Sequence, residues 1–222
     1  MQDRQRVGGV AALVEAATIV VGIGLFATML SDYATGDPTP GESVEFLVDH
    51  EAALYIWQLI TLIVFSIVLV PLTLALHERL KAGSPALTQT ATAFGLIWAG
   101  LLLAGGMIAN IAVGTVADLA ATDAGQAEAV WSSLDSVQTG LTGGIEIAGS
   151  IWIILVSWAA LRSGTLPRSL NYLGLVSGAA GLVTVVPPLE EVGLIFGLGL
   201  IVWFVWLGVV MLRTDPQPTR TD

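Results

Sequence analysis

Cysteine is absent from this 222-residue chain, which excludes disulfides, zinc–thiolate centres and thiol nucleophiles. Charge is scarce: only 12% of residues are Asp, Glu, Lys or Arg, about half the share usual in a soluble domain. Positive charge is scarcer still, eight Lys and Arg against eighteen Asp and Glu, for a net charge of −10. Nucleic acid is thereby excluded as a partner, because binding phosphates requires clustered bases. Lys81 is the single lysine and falls in a loop, which removes a buried Schiff base. No HExxH, GxSxG or P-loop pattern occurs. The two histidines, His50 and His77, lie 27 residues apart, about 40 Å along a continuous helix, too far to share a metal or haem. An enzyme is therefore the weakest reading, and no cofactor or metal site is expected.

What the chain has instead is apolar length. Hydrophobic residues make up 55% of it, and they gather in runs near the ~20 residues a helix needs to cross a bilayer. Six spans follow: Val7–Leu30, Ala53–Leu76, Leu87–Val113 continuing amphipathically to Ala120, Ile145–Leu161, Leu170–Val186 and Val192–Leu212. The first exceeds a signal-peptide core and lacks a clear cleavage site, so it reads as a span rather than a leader. Before Ile145, residues Val130, Trp131, Leu134, Val137 and Leu141 recur at helical spacing, extending the fourth span as an amphipathic helix. Spans three and four would then form a long hairpin. Pro71 sits inside span two and should kink it.

Between spans one and two, Thr39-Pro40-Gly41-Glu42 has the pattern of a capping box with proline at the first helical position. It predicts a short interfacial helix over Glu42–Asp49, with Val44 and Leu47 facing lipid or protein.

Basic residues orient the bundle. Arg4, Arg6, Arg79, Lys81, Arg162, Arg168, Arg213 and Arg220 all fall on one side of the six-span arrangement. The other side holds twelve acids, from Asp32, Asp37 and Glu42 through to Glu190 and Glu191. The positive-inside rule makes the basic side cytoplasmic. The expectation is an all-α, polytopic, plasma-membrane bundle with both termini inside. It would form one transmembrane domain over 1–214 and a disordered tail over 215–222.

Two acids remain within apolar runs, Glu15 and Glu146. An ionised carboxylate at the bilayer centre costs about 2.5–3.5 kcal/mol on insertion scales, so each needs neutralisation, a partner or a polar cavity. Glu15 lies nine residues from Arg6, about 14 Å deep, and Glu146 sixteen residues from Arg162, about 24 Å from the same side. They are thus offset rather than paired, and both are candidates for a proton relay. Deep tryptophans Trp98, Trp152 and Trp203 want partners for their indole N–H groups, and with Asn110 and Glu146 they form the candidate ligand-binding set. Trp57, Trp131 and Trp158 sit where belt residues belong. The small-xxx-small pairs Gly140/Gly144, Gly174/Gly178 and Gly193/Gly197 are read as intramolecular packing points.

Several stretches carry a family resemblance: Phe94-Gly95-Leu96-Ile97-Trp98-Ala99-Gly100, Gly105-Gly106-Met107-Ile108-Ala109-Asn110, Gly143-Gly144-Ile145-Glu146 and Leu166-Pro167-Arg168-Ser169-Leu170-Asn171-Tyr172-Leu173-Gly174, with the ending Phe196 to Gly208. Together they resemble small prokaryotic six-pass membrane proteins catalogued as a domain of unknown function. The resemblance implies six helices and no established activity. From the residues, the chain is expected to bind a small molecule or lipid in an intramembrane pocket near Glu146, with transport of that ligand as an extension. The alternative is a non-catalytic scaffold or accessory subunit whose acidic outer loops dock a membrane-protein partner.

Overall fold

A computed structural model describes residues 2–30, 38–142 and 146–213. The loop after Leu30, the Gly143-Gly144-Ile145 motif and the 215–222 tail therefore lie outside the described residues. Among those described, the chain is helical without strands. The helices are α1 (Gln2–Met29), α2 (Pro40–Asp49), α3 (Glu51–Gln58), α4 (Phe65–Leu80), α5 (Pro85–Ala120), α6 (Ala124–Thr142), α7 (Ile147–Ser163), α8 (Arg168–Val183) and α9 (Gly193–Arg213). A π-helical segment, Leu59–Val64, joins α3 to α4, and a 3₁₀ segment, Pro187–Val192, precedes α9.

Five segments among the described residues are long and apolar enough to cross a membrane: Asp3–Met29, Glu51–Leu80, Pro85–Ala120, Ala124–Ser163 and Gly193–Arg213. The fifth span expected from sequence corresponds to α8, which has 16 residues. At 1.5 Å per residue it reaches about 24 Å, short of the ~30 Å hydrocarbon thickness.

Backbone contacts divide the chain into two compact units. The first comprises Met1–Ala17, Ile67–Ala99 and Ile145–Asp222; the second comprises Thr18–Ser66 and Gly100–Gly144. In the first, α1 and α9 approach through glycine. A Cβ added at Gly9 would lie 3.2 Å from the Gly208 carbonyl oxygen, and one at Gly208 would lie 2.7 Å from Leu13. Gln5 Nε2 donates to the Met211 carbonyl at 2.9 Å. Near the chain's basic residues, Glu78 pairs with Lys81 at 2.8 Å and with Arg4 at 3.7 Å. Leu69, Leu72, Leu76, Leu170 and Leu207 fill the core of this unit.

Two of the expected glycine contacts are intramolecular. A Cβ at Gly178 would meet Ile153 at 2.8 Å and the Ser150 carbonyl at 2.9 Å, and one at Gly174 would meet Trp203 Nε1 at 2.8 Å. Gly140 and Gly197, by contrast, face open space.

The second unit holds the predicted capping box. Thr39 N–H donates to Glu42 Oε2 at 2.7 Å, Thr39 Oγ1 donates to the same oxygen at 2.8 Å, and Glu42 N–H returns a bond to Thr39 Oγ1 at 3.3 Å. These donors hold the Glu42 carboxyl below the ordinary carboxylate range, the backbone bond foremost. Helix α2 then buries Val44 and Leu47 against Val113, Val116 and Ala127, so its apolar face meets protein. The α5–α6 hairpin turns beside Asp123, whose Oδ1 accepts from Gln126 N–H at 3.0 Å. Helix α4 runs through Pro71. The helical irregularity of span two lies earlier, where Phe65 N–H reaches back five residues to the Ile60 carbonyl.

Candidate functional site

Glu146 marks a helix start inside an apolar run. Its backbone is non-helical (φ −81°, ψ 47°), and it occupies the cap position of α7 without capping that helix through its side chain. A first helical turn offers backbone N–H groups that lack intrahelical acceptors. Such starts within membrane segments favour negative charge and acceptor atoms. The Glu146 N–H donates to Thr184 Oγ1 at 3.3 Å, and that hydroxyl donates to the Gly181 carbonyl at 2.7 Å. The residue is half-buried.

From Glu146 a seam of small polar residues runs along α7 and α8, and α9 meets it through Gly199. Ser150, Ser157 and Asn171 are fully buried, and Ser177 and Thr184 nearly so. Glycines opposite them make room: a Cβ at Gly181 would strike Ser150 Oγ, one at Gly174 would strike Ser157 Oγ, and one at Gly199 would strike Ser177 Oγ. Asn171 Nδ2 donates to the Leu166 carbonyl at 3.3 Å. Ser150 Oγ, Ser157 Oγ and Asn171 Oδ1 find no hydrogen-bond partner among the described residues.

The aromatic residues singled out from sequence assemble beside this seam. Trp98 and Trp152 have ring centroids 5.7 Å apart, Trp152 and Trp203 also 5.7 Å, and Phe204 joins both at 6.2 and 5.4 Å. Trp98 packs over Gly149, where a Cβ would come 2.7 Å from its ring. Gly149 is one helical turn past Glu146, so the cluster reaches the same end of α7. The indole N–H groups of Trp152 and Trp203 are buried and find no acceptor among the described residues. Buried N–H groups of this kind normally hold a partner or an ordered water.

Four of the five candidate ligand-binding residues, Glu146, Trp98, Trp152 and Trp203, therefore belong to one unit, whereas Asn110 belongs to the other. Glu15 lies in the first unit and is fully buried on α1. Sequence reasoning did not single out the seam serines. The signal was present as glycines spaced opposite serines on consecutive helices.

Apolar helices of spanning length joined by short turns define a multi-pass helical membrane protein. The chain belongs to the DUF4386 family, a domain of unknown function, whose model matches residues 7–213. Comparison with curated proteins and with solved structures gives no match.

Proposed function

We propose that this membrane protein binds a small molecule or lipid within the bilayer, with Glu146 as its polar anchor. The observation that carries this reading is a carboxyl group at a helix start inside an apolar segment, continuous with unpartnered buried hydroxyl and indole groups. An acid at such depth is costly unless chemistry uses it. Trp98, Trp152 and Trp203 supply an aromatic wall within the same unit. Protonation and release at Glu146, with Glu15 as a second carboxyl, would add a proton relay and permit transport.

The test is native mass spectrometry of gently extracted protein beside Glu146→Gln. The reading expects a defined ligand retained by the wild type and lost from the variant. Identical bound species in both would overturn it.

In the same proposal the chain crosses the plasma membrane six times with both termini cytoplasmic. The supporting observation is that all eight bases then share one side. Because α8 is short, the 3₁₀ segment Pro187–Val192 would complete that crossing. The chain has no native cysteine, so single-cysteine labelling is unambiguous. Gly164→Cys and Glu191→Cys should react with an impermeant maleimide from opposite sides. Labelling from the same side would remove the crossing at α8.

A second reading, a scaffold that docks a partner, is favoured by one observation: the second unit contains no base at all. A stoichiometric protein partner with a basic outer face, co-purifying with the wild type, would support it.

A further inference from the structure

The second unit encloses a cavity of about 180 Å³ that is separate from the residues around Glu146. Its wall is mostly aromatic and aliphatic, with Phe26, Trp57 and Trp131 around it and four polar side chains, Ser43, Gln58, Asp135 and Gln138, lining it. The wall is fixed in place. Trp57 Nε1 donates to the Gly22 carbonyl at 3.0 Å, and its ring lies 6.0 Å from that of Phe26. Gln58 is 4% exposed, and its Oε1 has no hydrogen-bond partner among the described residues. It stands immediately before the π-helical segment. Segments of this kind occur frequently at functional sites.

Three features converge on the chemistry of an occupant. Gln58 Oε1 is an acceptor that lacks a donor, and a buried group in that state costs about 1–3 kcal/mol. Asp135 brings a carboxylate to the same space, and no Lys or Arg exists anywhere in the segments that build this unit. The aromatic faces attract positive charge through their quadrupoles. A neutral apolar molecule would satisfy only the walls, and an anion would meet the Asp135 carboxylate with no Lys or Arg in this unit to offset it. Size sets the last limit. A cavity of ~150 Å³ is enough for a benzene ring, so this one admits little more than a substituted ring.

We propose that this cavity binds a small protonated amine, with its ammonium N–H groups donated to Gln58 Oε1 and the Asp135 carboxylate and its apolar body held between Trp57 and Trp131. Ten acids without a base in this unit would raise the local concentration of cations and speed entry.

The test uses the full-length protein in nanodiscs, with benzylamine and its neutral counterpart benzyl alcohol titrated by calorimetry and ligand-observed NMR. Benzylamine should bind one equivalent, at least tenfold more tightly than the alcohol, and more weakly as salt rises. Asp135→Asn should weaken benzylamine tenfold or more while leaving the alcohol unchanged, and Gln58→Leu, which removes an acceptor open to both probes, should weaken benzylamine tenfold or more. Leu54→Trp, which fills the cavity without removing a polar group, should abolish binding of both. Glu146→Gln should have no effect here, which separates this site from the one around Glu146. Equal affinity for amine and alcohol would reduce the cavity to an apolar void. Amine binding that survives Asp135→Asn, Gln58→Leu and Leu54→Trp would place it elsewhere, and a co-purified acyl chain displaced by neither probe would make this a lipid site. Each of these results overturns the proposal.

Discussion

The two units of this molecule differ most in charge. The first holds all eight bases together with eight acids and is electroneutral; the second holds ten acids and no base. The proposed orientation accounts for the first pattern, because Lys and Arg near helix ends fix which side stays inside. It leaves the second unexplained, since Asp and Glu contribute little to that rule. The interiors differ in parallel. The neutral unit packs Trp152, Trp203 and Phe204 with no exposed surface, whereas the acidic unit keeps a cavity beside a buried glutamine. The bases of the neutral unit thus answer to the proposed topology, and the acids of the second unit are available for recognition.

The comparison breaks most visibly at its tryptophans. Trp152→Ala removes a fully buried ring from the aromatic cluster and should cost about 3–5 kcal/mol. Trp131→Ala, at a half-buried cavity wall, should cost about 1–2 kcal/mol. Thermal unfolding in one detergent would rank them, and equal losses would erase the contrast between a packed and an open interior. Next comes Gly149→Val. A Cβ there already meets the Trp98 ring at 2.7 Å, so overpacking should cost about 1–3 kcal/mol. If the variant melts with the wild type, the close approach of Trp98 to the start of α7 is wrong.

The smallest effects probe α2. Thr39→Ala removes the cap hydroxyl and should cost about 1 kcal/mol, read as faster amide exchange across Pro40–Asp49. Glu42 titrates lower in the folded chain than the ordinary 4.5 because Thr39 donates to it. Its contribution is fully present above 4.5 and should fade as pH falls through the lowered value. Amide protection in α2, taken relative to the intrinsic exchange rate at each pH, should accordingly fall in acid, and Glu42→Gln should flatten that dependence.

What the sequence revealed was local or compositional. Thr39 to Glu42 announce the cap of α2 because four consecutive residues carry the whole motif. The membrane class follows from run length and scarce charge. Helix faces were harder to read. Segments such as Gly193–Arg213 are apolar all round, so no polar stripe marks the side that meets protein. The tryptophan cluster joins α5, α7 and α9, whose pairing is non-local, and only glycines such as Gly149 and Gly174 hinted at it. Asn110, Gln58, Gln138 and Glu146 were grouped as partners for buried indole N–H groups, a match of chemistry that does not specify neighbours. The π turn after Gln58 was not legible because nothing in Leu59–Val64 distinguishes it from an α turn by composition.

That π segment gives the chain a tolerance in length. A π turn stores one residue more than an α turn. Deleting a single codon between Leu59 and Val64 should let α3 run into α4 as an ordinary helix, because the ~100° of turn lost with one residue is nearly what the wide turn gives up. Both ends would keep their orientation, so a change in length that would derange a regular helix should be absorbed here.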